Sequence, residues 1–263
     1  MTRVEPSSKA ARILSLAVRW LGVLIVALLC LSGLQFCLHI ALTYVAPLVG
    51  GNLESWNDNF LPGLYDADNR GATGSIGMHF ITGAVVMILG CVQLLPALRT
   101  HWPRSHRWIG RLYVGLATLT AIGGLGFILL QGTVGGAVMN IGFGLYGILM
   151  IIAAVQTLRY ARVRKFALHR AWAIRLFVLV IASWLYRLEY GLFGLFELSG
   201  RTTTFSGWFD QMMAFAFYVP NLVIAELYLR ALRPTSSTVL RAVALVALVA
   251  AAAVTATGVY SQW

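Results

Sequence analysis

Acidic residues are scarce in this chain, which has nine Asp and Glu among its 263 residues. The sequence contains no paired carboxylates, no Ser, His and Asp set, no Cys and His spacing typical of zinc sites, and no glycine-rich loop that would cradle a phosphate. Hydrolytic chemistry therefore has no support. Cysteine is also rare. Cys30, Cys37 and Cys91 all lie in apolar stretches, so we expect small hydrophobic side chains rather than a disulfide framework.

Long stretches without any charge are the dominant feature of the sequence. Hydrophobic residues make up 59% of the chain and charged residues 11%, a balance that would leave a soluble globule too apolar on its outside. A helix needs about 20 apolar residues to cross a bilayer. Four windows contain no Asp, Glu, Lys or Arg: 20–53, 71–98, 112–158 and 242–263. The third is long enough for two helices, which the glycine-rich run 131–136 separates.

Two further helices, at about 171–196 and 211–230, bring the count to seven. Their interiors are apolar apart from four ionisable residues: Arg175, Arg187, Glu189 and Glu226. The fold class that we predict is all-α, a polytopic transmembrane bundle of about seven spans, numbered 1 to 7 in chain order. Residues 1–263 are expected to form a single integral membrane domain, with 1–18 as a cytoplasmic N-terminal segment.

The formal charge of +11 is distributed periodically along the chain. Of the 20 basic residues, 17 lie before span 1 or beside the connections between spans 2 and 3, 4 and 5, and 6 and 7. If that side is cytoplasmic, every loop satisfies the positive-inside rule and the N-terminus is cytoplasmic. We therefore attribute the basic charge to topology. The expected partner is the lipid bilayer, and nucleic acid is not expected.

An internal repeat relates spans 2 and 3 to spans 4 and 5 at an offset of 63 residues. Its polar members carry most of the weight, because apolar helices match by chance: Gln93, Arg99, His106 and Arg107 recur as Gln156, Arg162, His169 and Arg170. One inserted residue later, Trp108 and Arg111 match Trp172 and Arg175. We expect residues 74–196 to form a duplicated four-helix core of two parallel hairpins.

Ionisable residues at membrane depth are costly, so the histidines are candidate sites. His106 and His169 begin spans 3 and 5 at the inner side, whereas His39 and His79 lie roughly 10 and 8 Å from the outer side. Each pair is a candidate set of axial ligands for haem b, and two haems would allow electron transfer across the bilayer. Alternatively, lipid phosphate or loop carbonyl groups would satisfy His106 and His169 without a metal.

Charged side chains complete the candidate cofactor site: Arg107, Arg111, Arg170, Arg175, Arg187 and Glu226. Arg175 and Glu226 are expected to form a partly buried ion pair, with Arg111 as a competing partner. Arg187 needs an acceptor such as a haem propionate or a quinone or substrate carboxylate, unless it snorkels to the outer interface.

A second candidate function is a small-molecule or lipid transporter, in which Arg111, Arg175 and Glu226 surround a polar cavity between spans 3, 5 and 6. A purely structural or assembly role is a third. The sequence specifies neither the substrate, nor a quinone or other redox partner, nor the oligomeric state.

One family resembles this chain over about residues 75–195. The resemblance is carried by the order of His79, Gln93-Leu94-Leu95, Arg99, the segments 106–113 and 169–175, and Arg187-Leu188. This order resembles the bacterial family called domain of unknown function 2306. The resemblance implies a multi-pass protein of the bacterial cytoplasmic (inner) membrane, with no established activity.

A weaker likeness to two-haem b-type membrane cytochromes implies histidines on a four-helix core. Span 4 has no histidine, so an outer haem would need His39, or a weaker ligand such as Met139.

Overall fold

The computed structural model describes residues 9–196 and 199–262, and this part of the chain is helical and contains no strand. The helices follow one another with short connections. Ten are α-helical: α1 (Lys9–Ile40), α2 (Ala46–Gly50), α3 (Arg70–Leu94), α4 (Pro96–His101), α5 (Pro103–Leu130), α6 (Gly136–Arg162), α7 (Phe166–Leu195), α8 (Trp208–Ala216), α9 (Val219–Ala231) and α10 (Thr238–Tyr260). A π-helical turn, Ala41–Val45, makes α1 and α2 continuous, and a 3₁₀ helix covers Leu53–Asp58.

Seven helical stretches in the described residues are long and apolar enough to cross a membrane, which confirms the predicted fold class. They are Lys9–Gly50, Arg70–Leu94, Pro103–Leu130, Gly136–Arg162, Phe166–Leu195, Trp208–Ala231 and Thr238–Tyr260. We call the end of the bundle that carries the α3–α5, α6–α7 and α9–α10 connections the basic end, and the other the opposite end. Which of them faces the cytoplasm stays a prediction.

Spans 2 to 5 form a square of helices. Helix α3 packs against α5, α5 against α6, α6 against α7, and α7 returns to α3, so that α5 and α7 face each other across a diagonal. The remaining spans cover one side of the square, since α1 packs on α3 and α10, and α10 packs on α7 and α9. Helix α7 is consequently buried along most of its length. The duplication of the two hairpins stays a prediction.

Glycine brings α3 and α5 into backbone contact. A Cβ atom added at Gly123 would lie 2.7 Å from the carbonyl oxygen of Ser75 and 2.9 Å from the amide nitrogen of His79. Small residues at such a crossing allow two membrane helices to approach closely. This close approach places His79 of α3 directly against α5.

Span 6 is broken rather than continuous as predicted. Helix α8 ends at Ala216 and α9 begins at Val219, with Pro220 in its first turn. Proline has no backbone N–H, so it suits a first helical turn and not a helix interior. The side chain of Asp210 in α8 is fully buried and accepts a hydrogen bond of 2.7 Å from the hydroxyl of Tyr190.

The expectation for the cysteines is wrong at two of the three positions. Cys30 of α1 and Cys91 of α3 form a disulfide. The packing of these helices holds their Cα atoms 5.7 Å apart, within the range that a disulfide spans. Cys37 is free and buried, as predicted, and its thiol donates to the carbonyl oxygen of Ala84 at 3.4 Å. Sequence spacing could not reveal the pair, because it does not show which helix faces meet.

Candidate functional site

The two histidines of the basic end lie on helices that face each other. His106 is near the start of α5 and His169 near the start of α7, across the diagonal of the four-helix square. Both side chains are half-buried, and His106 lies within electrostatic range of His169. The two histidines therefore lie at the same end of the bundle, on diagonally opposite helices.

The ring of His169 is held by a backbone acceptor. Its Nδ1 atom lies 2.9 Å from the carbonyl oxygen of Thr157 on α6. A carbonyl oxygen only accepts, so Nδ1 carries a proton, and in the neutral imidazole Nε2 then has a lone pair. Metal-ligating histidines are typically oriented in this way, through the nitrogen that does not bind the metal.

The neighbouring histidine has a nitrogen without a partner. Nδ1 of His106 is buried and has no hydrogen-bond partner in the part of the chain that the structure describes. Its backbone is fixed, because Nε2 of Gln93 on α3 donates to the His106 carbonyl oxygen at 3.1 Å. A buried ring nitrogen without a partner is unfavourable by itself and is available to a ligand.

Basic side chains lie near the His106 ring. His106 lies within electrostatic range of Arg99 and Arg107. Arg107 and Arg170 are exposed on the helices that carry the histidines. This end can therefore compensate negative charge on a bound group.

One predicted ion pair is formed beside the histidines. Nη2 of Arg175 on α7 donates to Oε2 of Glu226 on α9 at 2.6 Å. The other oxygen of Glu226 accepts from Arg230 at 2.8 Å, a partner that the sequence analysis did not name. Arg111 does not join this pair; its guanidinium carbon lies 4.8 Å from the ring centre of Trp108.

The repeated Trp–Arg pairs have matching geometry. Arg175 lies 4.8 Å from the ring centre of Trp172, which is the separation found between Arg111 and Trp108. The duplication itself stays a prediction. The contact with Trp108 stabilises the Arg111 cation without Glu226, because a cation over an indole ring is favourable. Neither the cavity at His79 nor the one around Gln131 is lined by Arg111, Arg175 or Glu226.

The second histidine pair is not brought together. Nδ1 of His79 lies 2.9 Å from the carbonyl oxygen of Thr120 on α5, so its ring turns to that helix. His39 on α1 has Nδ1 3.4 Å from the hydroxyl of Thr43, whereas its Nε2 is buried without a partner among the described residues. No contact between the two imidazoles is found in the described part of the chain.

The space beside His79 is small. A cavity of about 30 Å³ lies between His79, Thr120, Tyr146 and Ser183, in the middle of the four-helix square. This volume holds about one or two water molecules, and it is far below the roughly 300 Å³ of the smallest usual ligand pockets. Met139, named as a weaker ligand, is buried and does not line this cavity.

Arg187 turns inward, toward aromatic side chains, rather than to the end of the bundle. Its guanidinium carbon lies 5.2 Å from the ring centre of Phe36 and 5.1 Å from that of Phe60. Its Nη2 atom donates to the hydroxyl of Tyr44 at 3.3 Å. The sequence does not predict these aromatic partners. It does not show which side chains of span 1 and of the following loop point toward span 5.

Among the described residues, no group of three or more His, Cys, Asp and Glu side chains could hold a metal ion. A haem iron held by the protein needs only one or two axial side chains, so its ligands form a smaller set than this.

Comparison with known proteins gives one match. The model of a family described as "Predicted membrane protein (DUF2306)" matches residues 76–229, more than half of the chain. No curated protein and no solved structure matches. The two His-Arg segments and the whole of spans 3, 4 and 5 lie within the matched range. The chain therefore belongs to the domain of unknown function 2306 family of predicted membrane proteins.

Proposed function

We propose that this integral membrane protein binds one haem b between His106 and His169 at the basic end and acts in electron transfer. The single observation that carries the proposal is the orientation of His169. Its Nδ1 bonds to the Thr157 carbonyl at 2.9 Å, which leaves Nε2 free to act as an axial ligand. His106, diagonally opposite, supplies a buried nitrogen that has no partner among the described residues.

The arginines of this end suit the two propionates of a haem. In the described residues, the salt bridges join Glu226 to Arg175 and Arg230. Arg107 and Arg170 lie outside those pairs and adjacent to the two proposed ligands in sequence, so they can donate to carboxylates of the bound group. When bound, haem supplies a one-electron ferric/ferrous couple.

The arrangement supports a site at one end rather than a chain of two haems. His79 has too little space beside it for a second haem, and His39 lies apart from it. We therefore expect the redox partner, a membrane quinone or another redox protein, to exchange electrons at the basic end. Transfer across the whole bilayer would need a second carrier, and the described residues offer no room for one beside His79.

The direct test is an absorption spectrum of the full chain, expressed with ample haem and purified in detergent. We expect a Soret band that shifts on reduction with dithionite, and a pyridine haemochrome assay that gives one haem per chain. A colourless protein would overturn the proposal, and two haems per chain would overturn the single-site version. His101→Ala is the matched control, since His101 is exposed on α4 and should leave the spectrum unchanged.

A further inference from the structure

A second cationic site lies toward the opposite end of α7, away from the histidine pair. Arg187 is 18 residues beyond His169 on the same helix, which corresponds to roughly 27 Å. Its side chain is half-buried between the rings of Phe36 and Phe60. A charged group at this depth of a membrane bundle requires a partner.

A second guanidinium shares one of these rings. The Arg201 guanidinium carbon lies 5.5 Å from the centre of Phe60 and 5.6 Å from that of Tyr190. Phe60 itself packs edge-on against Tyr190 at 5.3 Å, so the loop after α2 closes over this end of α7. The aromatic ring stabilises each guanidinium through a cation–π contact, but two like charges around one phenyl group repel each other.

The described residues offer these two arginines no carboxylate within ion-pair distance, because the salt bridges found there all involve Glu226 of α9. Two acidic residues lie near this part of α7: Glu189, whose Oε2 is buried without a partner among the described residues, and Asp210, whose two oxygens are already used. The Asp210 oxygens accept from the Tyr190 hydroxyl at 2.7 Å, from the Thr202 amide at 2.9 Å and from the Gly207 amide at 3.1 Å. The positive charge is therefore not neutralised by Asp210.

The imidazole of His39 lies near Arg187 and can donate or accept a hydrogen bond. Nε2 of His39 is buried without a partner among the described residues, and the ring lies within electrostatic range of Arg187. Arg187 makes one side-chain hydrogen bond, to Tyr44, out of five N–H groups. Most N–H groups of Arg187 thus have no acceptor among the hydrogen bonds of the described residues, although the Tyr186 hydroxyl and Oε2 of Glu189 on α7 are also buried without a partner there.

We propose that Arg187, Arg201, His39 and Phe60, together called the distal cationic cluster, bind the oxyanion of an amphiphile. The planar guanidinium fork matches a carboxylate or a phosphate through two parallel hydrogen bonds. The apolar part of the ligand lies along α1, where Leu38 and Leu42 are 59% and 65% exposed on the surface next to His39. The ligand enters laterally from the bilayer, and its head reaches the cluster between the aromatic rings.

This inference does not depend on the proposed haem, because the two sites share no residue and lie at different ends of α7. A protein without haem can still bind the amphiphile. A protein that binds haem at His106 and His169 can equally lack the distal site. The experiments therefore fail separately.

The test is isothermal titration of the purified full-length protein in a neutral detergent with three probes. Decanoate represents an amphiphilic carboxylate, short-chain phosphatidylglycerol a lipid phosphate, and inorganic phosphate a free oxyanion. We expect decanoate or phosphatidylglycerol to bind with one site per chain. Whichever binds identifies the source of the oxyanion. Saturable binding of inorganic phosphate alone would overturn the amphiphile, and no binding of any probe would overturn the site.

Variants connect the binding to the cluster. Arg187→Gln should weaken it by roughly tenfold or more, since a hydrogen bond to a charged group contributes about 1.5–3 kcal/mol, and Arg187→Lys should restore part of it. The matched control is Arg159→Gln, which removes an exposed arginine stacked 5.8 Å from the Tyr160 ring at the basic end. If Arg187→Gln fails to fold, Arg201→Gln tests the same cluster from its exposed side. Unchanged affinity in a folded variant at either position would overturn the assignment.

Discussion

Arg175 of α7 donates to Glu226 of α9 at 2.6 Å, and this ion pair links the four-helix square to the second half of the broken sixth span. The two side chains are 25% and 28% exposed, so water screens the pair only in part. The pair was expected from depth alone, since both residues lie near the same end of adjacent spans. Arg230, the second partner of Glu226, lies one helical turn beyond it and is much more exposed.

Removing the shared acceptor should destabilise the bundle. In Glu226→Gln, Arg175 keeps a neutral acceptor but loses its counter-charge, and we expect a loss of about 1–2 kcal/mol of unfolding free energy. Arg230→Gln is the control, because its side chain is 57% exposed and such pairs contribute roughly 0.5 kcal/mol. Thermal unfolding in detergent measures both. A larger loss of unfolding free energy in Arg230→Gln than in Glu226→Gln would show that the α7–α9 ion pair does not stabilise the bundle.

The proposed haem ligands make a specific prediction about four histidines. His106→Ala and His169→Ala should each abolish or strongly shift the reduced-minus-oxidised spectrum, because each removes one axial ligand. His79→Ala and His101→Ala should retain it, since neither residue lies at the site. Spectra normalised to folded protein by size-exclusion chromatography compare the four. Loss of haem in His79→Ala alone would move the site to the centre of the bundle.

The fold could be predicted from the sequence because charge-free windows leave little choice but membrane helices, and seven such helices are found. Residue depth was also predictable, which is why Arg175 and Glu226 were paired correctly. Rotation about each helix axis was not. His79 turns to Thr120 rather than to His39, and Arg187 turns inward to Tyr44, because packing of neighbouring helices decides these directions.

The cysteines illustrate the same limit of sequence-based prediction. Apolar windows favour buried thiols, and Cys37 behaves in that way. The contact between Cys30 and Cys91 depends on which stripe of α1 meets α3, and no sequence spacing encodes that stripe. The orientation of the chain and the duplication of the two hairpins stay predictions, as does the role of every residue at the candidate haem site.

The cysteine pairing can be counted directly. After denaturation without a reductant, we expect a thiol-reactive dye to label one cysteine per chain, because Cys30 and Cys91 are joined and Cys37 is free. After reduction, all three should react. Cys37→Ser, as the control, should show no reactive thiol before reduction and two afterwards. Three reactive thiols in the unreduced wild-type protein would exclude the disulfide.

Gly123 and Gly115 of α5 provide a matched pair of glycines for testing how closely the core helices meet. A Cβ at Gly123 would lie 2.7 Å from the Ser75 carbonyl oxygen, whereas nothing lies within 4 Å of a Cβ at Gly115. Gly123→Ala must therefore push α3 away, which we expect to cost about 1–3 kcal/mol. Gly115→Ala adds a methyl group in open space and should be neutral or stabilising by up to about 1 kcal/mol.

The same displacement should be visible at His79. Its ring bonds to the carbonyl oxygen of Thr120, one turn before Gly123, so a wider α3–α5 spacing lengthens that hydrogen bond. Hydrogen exchange or NMR of the labelled imidazole would report the change, and thermal unfolding of the two alanine variants would report the stability. Equal unfolding temperatures for Gly123→Ala and Gly115→Ala would show that the two backbones do not meet at this crossing. A lower unfolding temperature and a weaker His79–Thr120 hydrogen bond in Gly123→Ala alone would instead establish that the α3–α5 contact orients His79.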